Sequence, residues 1–93
     1  MCRGGFSEAV FVSATMDKVN GSEAFLEGAR FMGAKLVGAT LVGANLSMTR
    51  WSEANLSGAD LSSTNLSQAD LSGVNVRGAR FDDADLSLAR LSR

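Results

Sequence analysis

The chain has 93 residues, one domain's worth, with nine Lys or Arg against ten Asp or Glu and a net charge of −1. That balance gives no bulk attraction to nucleic acid or to an anionic membrane. There is no His and a single Cys, Cys2, so no Ser–His pair and no intramolecular disulfide can be made, and with no clustered ligand types the usual metal constellations are not assembled.

The dominant signal is a repeat of five. Residues 54–73 read Ala-Asn-Leu-Ser-Gly, Ala-Asp-Leu-Ser-Ser, Thr-Asn-Leu-Ser-Gln, Ala-Asp-Leu-Ser-Gly. Stepping by five in both directions gives the centres Phe6, Phe11, Met16, Gly21, Leu26, Phe31, Leu36, Leu41, Leu46, Trp51, Leu56, Leu61, Leu66, Leu71, Val76, Phe81, Leu86 and Leu91. Eighteen units fill residues 4–93 without insertion or deletion, after a lead-in at 1–3. All centres but Gly21 are apolar, and the residue two before each centre is small or β-branched. A helix repeats its face every 3.6 residues and a strand every 2. A period of five suits neither. It suits a chain that turns one corner per unit, with one large and one small side chain inward.

In chain order, residues 1–25 are the least regular. Gly21 lacks the large side chain that its position expects. The pair Asn20-Gly21 is a strong turn signal, so a bulge is expected there with Phe25 folded over the gap; an exposed docking Phe25 is the competing reading. In 26–48, Gly28, Gly33, Gly38 and Gly43 follow successive centres by two. They are expected to make tight type II corners, which need positive φ at the third residue. Non-Gly corners such as Glu53, Ser63 and Gln68 are expected to be looser. Gly28 to Lys35 does not make a phosphate loop, because Lys does not directly follow the second Gly.

Trp51 is the only Trp. It reads as a core residue whose indole N–H needs an internal partner, or else as a partly exposed anchor. Residues 52–79 are the most regular. Their serines, directly after the centres, read as solvated corners, since no Ser-x-x-Lys accompanies them. Residues 80–93 become more charged.

The run of A(D/N)LSG-like units resembles the pentapeptide-repeat proteins over residues 4–93. The resemblance implies an all-β fold, a right-handed quadrilateral parallel β-helix of about four and a half coils. It implies that the central residue and the small residue two before it point inward. The core is therefore expected to be the seventeen apolar centres. At about 4.8 Å per coil the stack would be roughly 20 Å tall.

With twenty residues per coil, centres twenty apart stack into four walls. Wall one holds Phe6, Leu26, Leu46, Leu66 and Leu86. Wall two holds Phe11, Phe31, Trp51, Leu71 and Leu91. Wall three holds Met16, Leu36, Leu56 and Val76, and wall four Gly21, Leu41, Leu61 and Phe81. Charge sorts unevenly: with Arg3 counted on wall four, walls one and four together sum to −5 and walls two and three to +4. Before the centres of wall two stand Arg30, Arg50, Asp70 and Arg90. They read as a solvated face or as a basic strip for an acidic partner. Phe25, Arg30, Arg50 and Arg90 are the candidate interaction surface.

No catalytic residue, cofactor or metal is expected. The function expected is a non-enzymatic protein-interaction or structural scaffold with a protein partner, without direct nucleic-acid or membrane binding. The resemblance offers an alternative, a DNA-mimicking inhibitor of a type II topoisomerase such as gyrase, of the quinolone-resistance type. Such mimics have broadly acidic surfaces, which this chain lacks. Apolar layers and unpaired backbone at both ends, without visible caps, predict an end-to-end homodimer or a place within a longer chain. No signal or membrane-spanning segment is read, so a cytoplasmic location is expected.

Overall fold

A computed structural model describes residues 9–91. Phe6 and the lead-in at 1–3 lie outside the described residues, as do Glu8 and Arg93. From Val10 to Arg90, the residue before each centre forms a parallel β-bridge with the residue twenty positions on, from Val10 with Arg30 to Asp70 with Arg90. One coil is therefore twenty residues, and four walls close it.

Among the described residues, every unit with a fully described neighbour above it is joined to it by the same three backbone hydrogen bonds, except that the Trp51 unit lacks the bond from its corner N–H at Glu53. The N–H of centre Phe31 donates to Arg50 O at 2.7 Å, the N–H of Gly33 to Ser52 O at 2.9 Å, and the N–H of Arg50 back to Ala29 O at 3.1 Å. A fourth bond closes the corner, from Ala34 N–H to Phe31 O at 2.9 Å. A corner every five residues leaves no room for a long strand, so each wall contributes a short rung, and the rungs stack.

The corners differ from expectation. Positive φ is found at Gly28, Gly33, Gly38 and Gly43 (69–74°), and equally at Glu53, Ser63 and Gln68 (60–61°). The non-Gly corners are not looser. Corner hydrogen bonds into an Ala are 2.8–3.1 Å, including 2.8 Å at the Glu53 corner. Those into Val or Thr are 3.1–3.3 Å, including 3.2 Å at Val74, which follows Gly73. The bulk of the inward small residue sets the corner's tightness, because that side chain must fit beneath the turn. The ladder on both sides holds the corner residue in the left-handed region whatever its type, at a cost of about 1–2 kcal/mol where it is not Gly.

The core lies inside the square. Leu26, Phe31, Leu36, Leu41, Leu46, Trp51, Leu56, Leu61, Leu66 and Leu71 are buried, as are the intervening alanines from Ala24 to Ala69. Phe11, Met16, Phe81 and Leu86 are half-buried against this column. Two expected core residues depart: Val76 is 38% exposed and Leu91 63% exposed. Both belong to the last described coil, whose upper face no described residue covers.

Gly21 is buried within an unbroken ladder, its N–H bonded to Thr40 O at 2.7 Å and its C=O accepting from Ala24 at 3.1 Å. The expected bulge does not form, because a coil must keep its twenty-residue register to pair with the next. Phe25 does not fold over the gap; it bridges to Asn45 and is 55% exposed.

Trp51 is fully buried. Its ring stacks on Phe31 at 4.1 Å between centroids, and Phe31 stacks on Phe11 at 5.0 Å. The walls hold equivalent residues one rung apart, so the aromatics meet face to face. The indole N–H donates to Thr49 Oγ1 at 2.7 Å, and the Thr49 hydroxyl donates to Leu46 O at 2.6 Å. Thr replaces Ala at this one site beside the Trp because a buried N–H without a partner is costly. Thr64 donates likewise to Leu61 O at 2.7 Å, with no indole to serve.

Two outcomes follow for chemical unfolding. Thr49→Val strands the indole N–H and should cost about 1–3 kcal/mol, whereas Thr64→Ala restores the ordinary repeat residue and should change stability by less than about 1 kcal/mol. Gln68→Gly relieves a strained corner and should raise stability by about 0.5–1 kcal/mol with an unchanged denaturant slope.

Candidate interaction surface

Three positions of each unit face outward. The first, before the centre, is most often Asn or Asp, and it is tied down. Asn45, Asn55, Asp60, Asn65, Asp70, Asn75 and Asp85 each accept, through Oδ1, the backbone N–H two residues on, at 3.0–3.1 Å. Where Ser follows the centre, its hydroxyl adds a second bond: Ser47, Ser57, Ser62, Ser72 and Ser87 donate to the same oxygen at 2.6–2.9 Å. The reading of these serines as merely polar, solvated corners is refined. Each is clipped across its centre to the Asx side chain. The interior of the coil cannot satisfy this N–H, since the backbone bends outward there, so a side chain does. The signal was present in the sequence as the recurring (Asn/Asp)-Leu-Ser.

These bonds hold the carboxylates in their charged form. The Ser72 hydroxyl and then its N–H lower the Asp70 pKa from 3.8, with Arg90 and Arg50 adding to the effect. Asp60 is lowered by Ser62 and more weakly by Arg80, and Asp85 by Ser87.

Wall two carries Arg30, Arg50, Asp70 and Arg90 on successive rungs, bridged in that order. All three arginines are exposed. Arg30 and Arg50 are direct neighbours, an arrangement that places like charges one rung apart and is unfavourable by itself. Phe25 stands on wall one, around the corner from this strip, in a shallow depression with Glu23, Ala24, Gly43 and Asn45. The structure thus brings the three arginines onto one wall and leaves Phe25 apart. Lys35 and Arg77 are exposed on wall three. On wall four Arg80 pairs with Asp82 at 2.9 Å, both ends about two-thirds exposed, a pairing worth little. Among the described residues Glu53 and Asp70 sit among the cations of wall two and Asp17 among those of wall three, so no continuous acidic surface encircles the molecule, and duplex mimicry is not favoured. Among the described residues no three potential ligands cluster to hold a metal ion, and no helix is long and apolar enough to cross a membrane.

A square, twenty-residue coil with Ala and Leu inward defines a class of repeat solenoid. A family model for pentapeptide repeats matches eight copies, at residues 6–47 and 54–93, and the chain belongs to that family. The unmatched segment 48–53 surrounds Thr49 and Trp51; the bridge at Arg50 continues through it, while the corner N–H of Glu53 makes no ladder bond.

HetL, a pentapeptide repeat protein involved in heterocyst differentiation regulation from the cyanobacterium Nostoc sp. strain PCC 7120, is similar at 31% identity and TM-score 0.88, over 91% of this chain and 39% of HetL. The pentapeptide repeat protein alr5209 from Nostoc PCC 7120 is similar at 34% identity and TM-score 0.83, over 85% of this chain and 65% of its own. Rfr23 from the cyanobacterium Cyanothece 51142 gives 28% identity and TM-score 0.76, over 98% and 63%. These folds are right-handed quadrilateral β-helices, and so is this one. The chain spans about two fifths to two thirds of the length of these structures. Comparison with curated proteins gives no match.

The pH dependence of stability follows from the clipped carboxylates. Their folded-state pKa values lie below 3.8, so the stabilisation they give is whole above about pH 4 and is lost as pH falls through the folded values. Thermal unfolding should be level from pH 7 to about 5 and decline below about 4. A triple Asp60→Asn, Asp70→Asn, Asp85→Asn variant, which keeps each Oδ1 acceptor, should decline less steeply.

Proposed function

We propose that the chain is a non-enzymatic interaction scaffold whose wall two receives an acidic segment of a partner protein. Members of this family are generally non-enzymatic scaffolds, and the outward positions here carry clipped Asx–Ser pairs rather than a nucleophile beside a base. The observation that carries the reading is the pair Arg30 and Arg50, exposed on adjacent rungs of a rigid wall. The ladder fixes their spacing near the roughly 4.8 Å rung distance, within reach of successive carboxylates on an extended peptide. Arg90 extends the strip, with Asp70 between as a register mark. Guanidinium groups suit this task because each presents a planar fork of donors to a carboxylate.

The test is binding of a fluorescently labelled glutamate-rich peptide, followed by anisotropy at low and physiological salt. The double variant Arg30→Glu, Arg50→Glu should weaken binding at least about tenfold, equivalent to about 1.4 kcal/mol. Its unfolding midpoint should fall only slightly, because the exposed Arg50–Asp70 attraction that it loses is worth little. Equal affinity of wild type and double variant would overturn the reading.

A further inference from the structure

The Asx–Ser clip lacks its acceptor at one unit in the middle of the coil. Among the described residues, every serine that directly follows a centre has Asn or Asp two positions before it, except Ser52, which has Arg50. In the other units the Asx Oδ1 accepts the serine N–H at 3.0–3.1 Å. At Ser52 neither the N–H nor the hydroxyl has a partner among the described residues. Arg50 cannot supply one, because a guanidinium only donates. The corner N–H of Glu53, one residue on, makes no ladder bond either. These donors are nevertheless held in place. Ser52 O accepts the Gly33 N–H from the coil below at 2.9 Å, and the N–H of the buried Trp51 donates to Asp70 O above at 2.8 Å. Ser52 is half-buried, and Arg50 is exposed, one rung above Arg30.

We infer that Ser52, with Arg50 and Arg30, takes a side-chain carboxylate from the partner's acidic segment, in the place that an Asx oxygen takes elsewhere on the coil. This rests on the reading of wall two as the receiver of an acidic segment, and it names the atoms that hold one residue of that segment. One carboxylate oxygen accepts the Ser52 N–H and hydroxyl. Asp60, Asp70 and Asp85 accept the same two donors within the chain, at 3.0–3.1 Å from nitrogen and 2.6 Å from the hydroxyl. The other oxygen is left for the guanidinium forks of Arg50 and Arg30. A neutral amide could complete the clip, as Asn45 and Asn55 do, but it would gain little from two arginines. The carboxylate of Glu53 does not fill the place from within. Its Cγ lies 3.7 Å from where a Cβ on Gly73 would stand, so its stem runs along the corner toward the rung above. Asp70, one rung above Arg50 and held by Ser72, repels a second carboxylate there. The bound segment therefore runs down the wall toward Arg30.

The labelled glutamate-rich peptide and the 93-residue chain test this with variants that separate the clip from the charge. Ser52→Ala removes a donor without changing charge, and it should weaken binding about tenfold, the loss of one hydrogen bond to a charged acceptor. Arg50→Asn and Arg30→Asn each remove one positive charge. Arg50→Asn should weaken binding at least about threefold more, because the introduced amide fills the clip from within. In an amide-resolved NMR titration with the peptide, the Ser52 amide proton should move downfield. Those of Ser57 and Ser62, already bonded within the chain, should stay. A wild type that does not bind the peptide would overturn both this inference and the reading of wall two. Binding that falls in the Arg30→Glu, Arg50→Glu variant would uphold the strip. This inference alone would then be overturned by a Ser52→Ala variant as tight as wild type, by equal losses in the two Asn variants, or by an unmoved Ser52 amide.

Discussion

The coil-to-coil backbone ladder is the constraint on which everything else depends. In every five residues three N–H groups or their partners must meet the neighbouring coil, and a fourth bond closes the corner. A polar backbone folded into a small core is tolerable only when it is paired, and here pairing is possible only at a separation of twenty residues. That fixes the register absolutely. It explains why Gly21 keeps its place without a bulge, and why Met48 or Gln68 can be held at a positive φ that neither would choose alone. The ladder imposes the conformation, and the residue type adjusts only its cost.

The same constraint arranges the side chains. Equivalent positions sit one rung apart, so whatever the chain places at one interval of twenty is stacked. Inside, this gives the aromatic column Phe11, Phe31 and Trp51. Outside, it gives the run Arg30, Arg50, Asp70 and Arg90. The first stacking is favourable and buried. The second is exposed and partly unfavourable, which marks the wall as a surface for something other than stability. The Asx–Ser clips belong to the first kind: they finish the backbone's hydrogen bonding where the ladder does not reach.

An edge is the unavoidable cost of a ladder. Interior coils are paired above and below, whereas the outermost described coils carry backbone groups with no partner among the described residues. Solenoid ends differ from sheet edges in this respect, since the edge is folded into a square and carries a plug of apolar side chains at its centre.

Much of this was legible in the sequence because a period of five over so many units leaves few ways to pair a backbone. The recurring positions of the large and small apolar residues follow from counting, and the sorting of residues onto four walls, with three arginines on one, follows once the square of the family resemblance is added. The family resemblance supplied the square and its hand, which periodicity does not encode. Three matters were decided only by the folded chain. Corner tightness followed the inward neighbour rather than the corner residue, because packing beneath the turn is a contact between residues and not a property of either. Thr49 became the partner of the Trp51 indole, since the sequence records the need for an acceptor but not which hydroxyl lies 2.7 Å away. Exposure at Val76 and Leu91 depended on what lies above them, and covering is a relation between coils that no single five-residue unit contains.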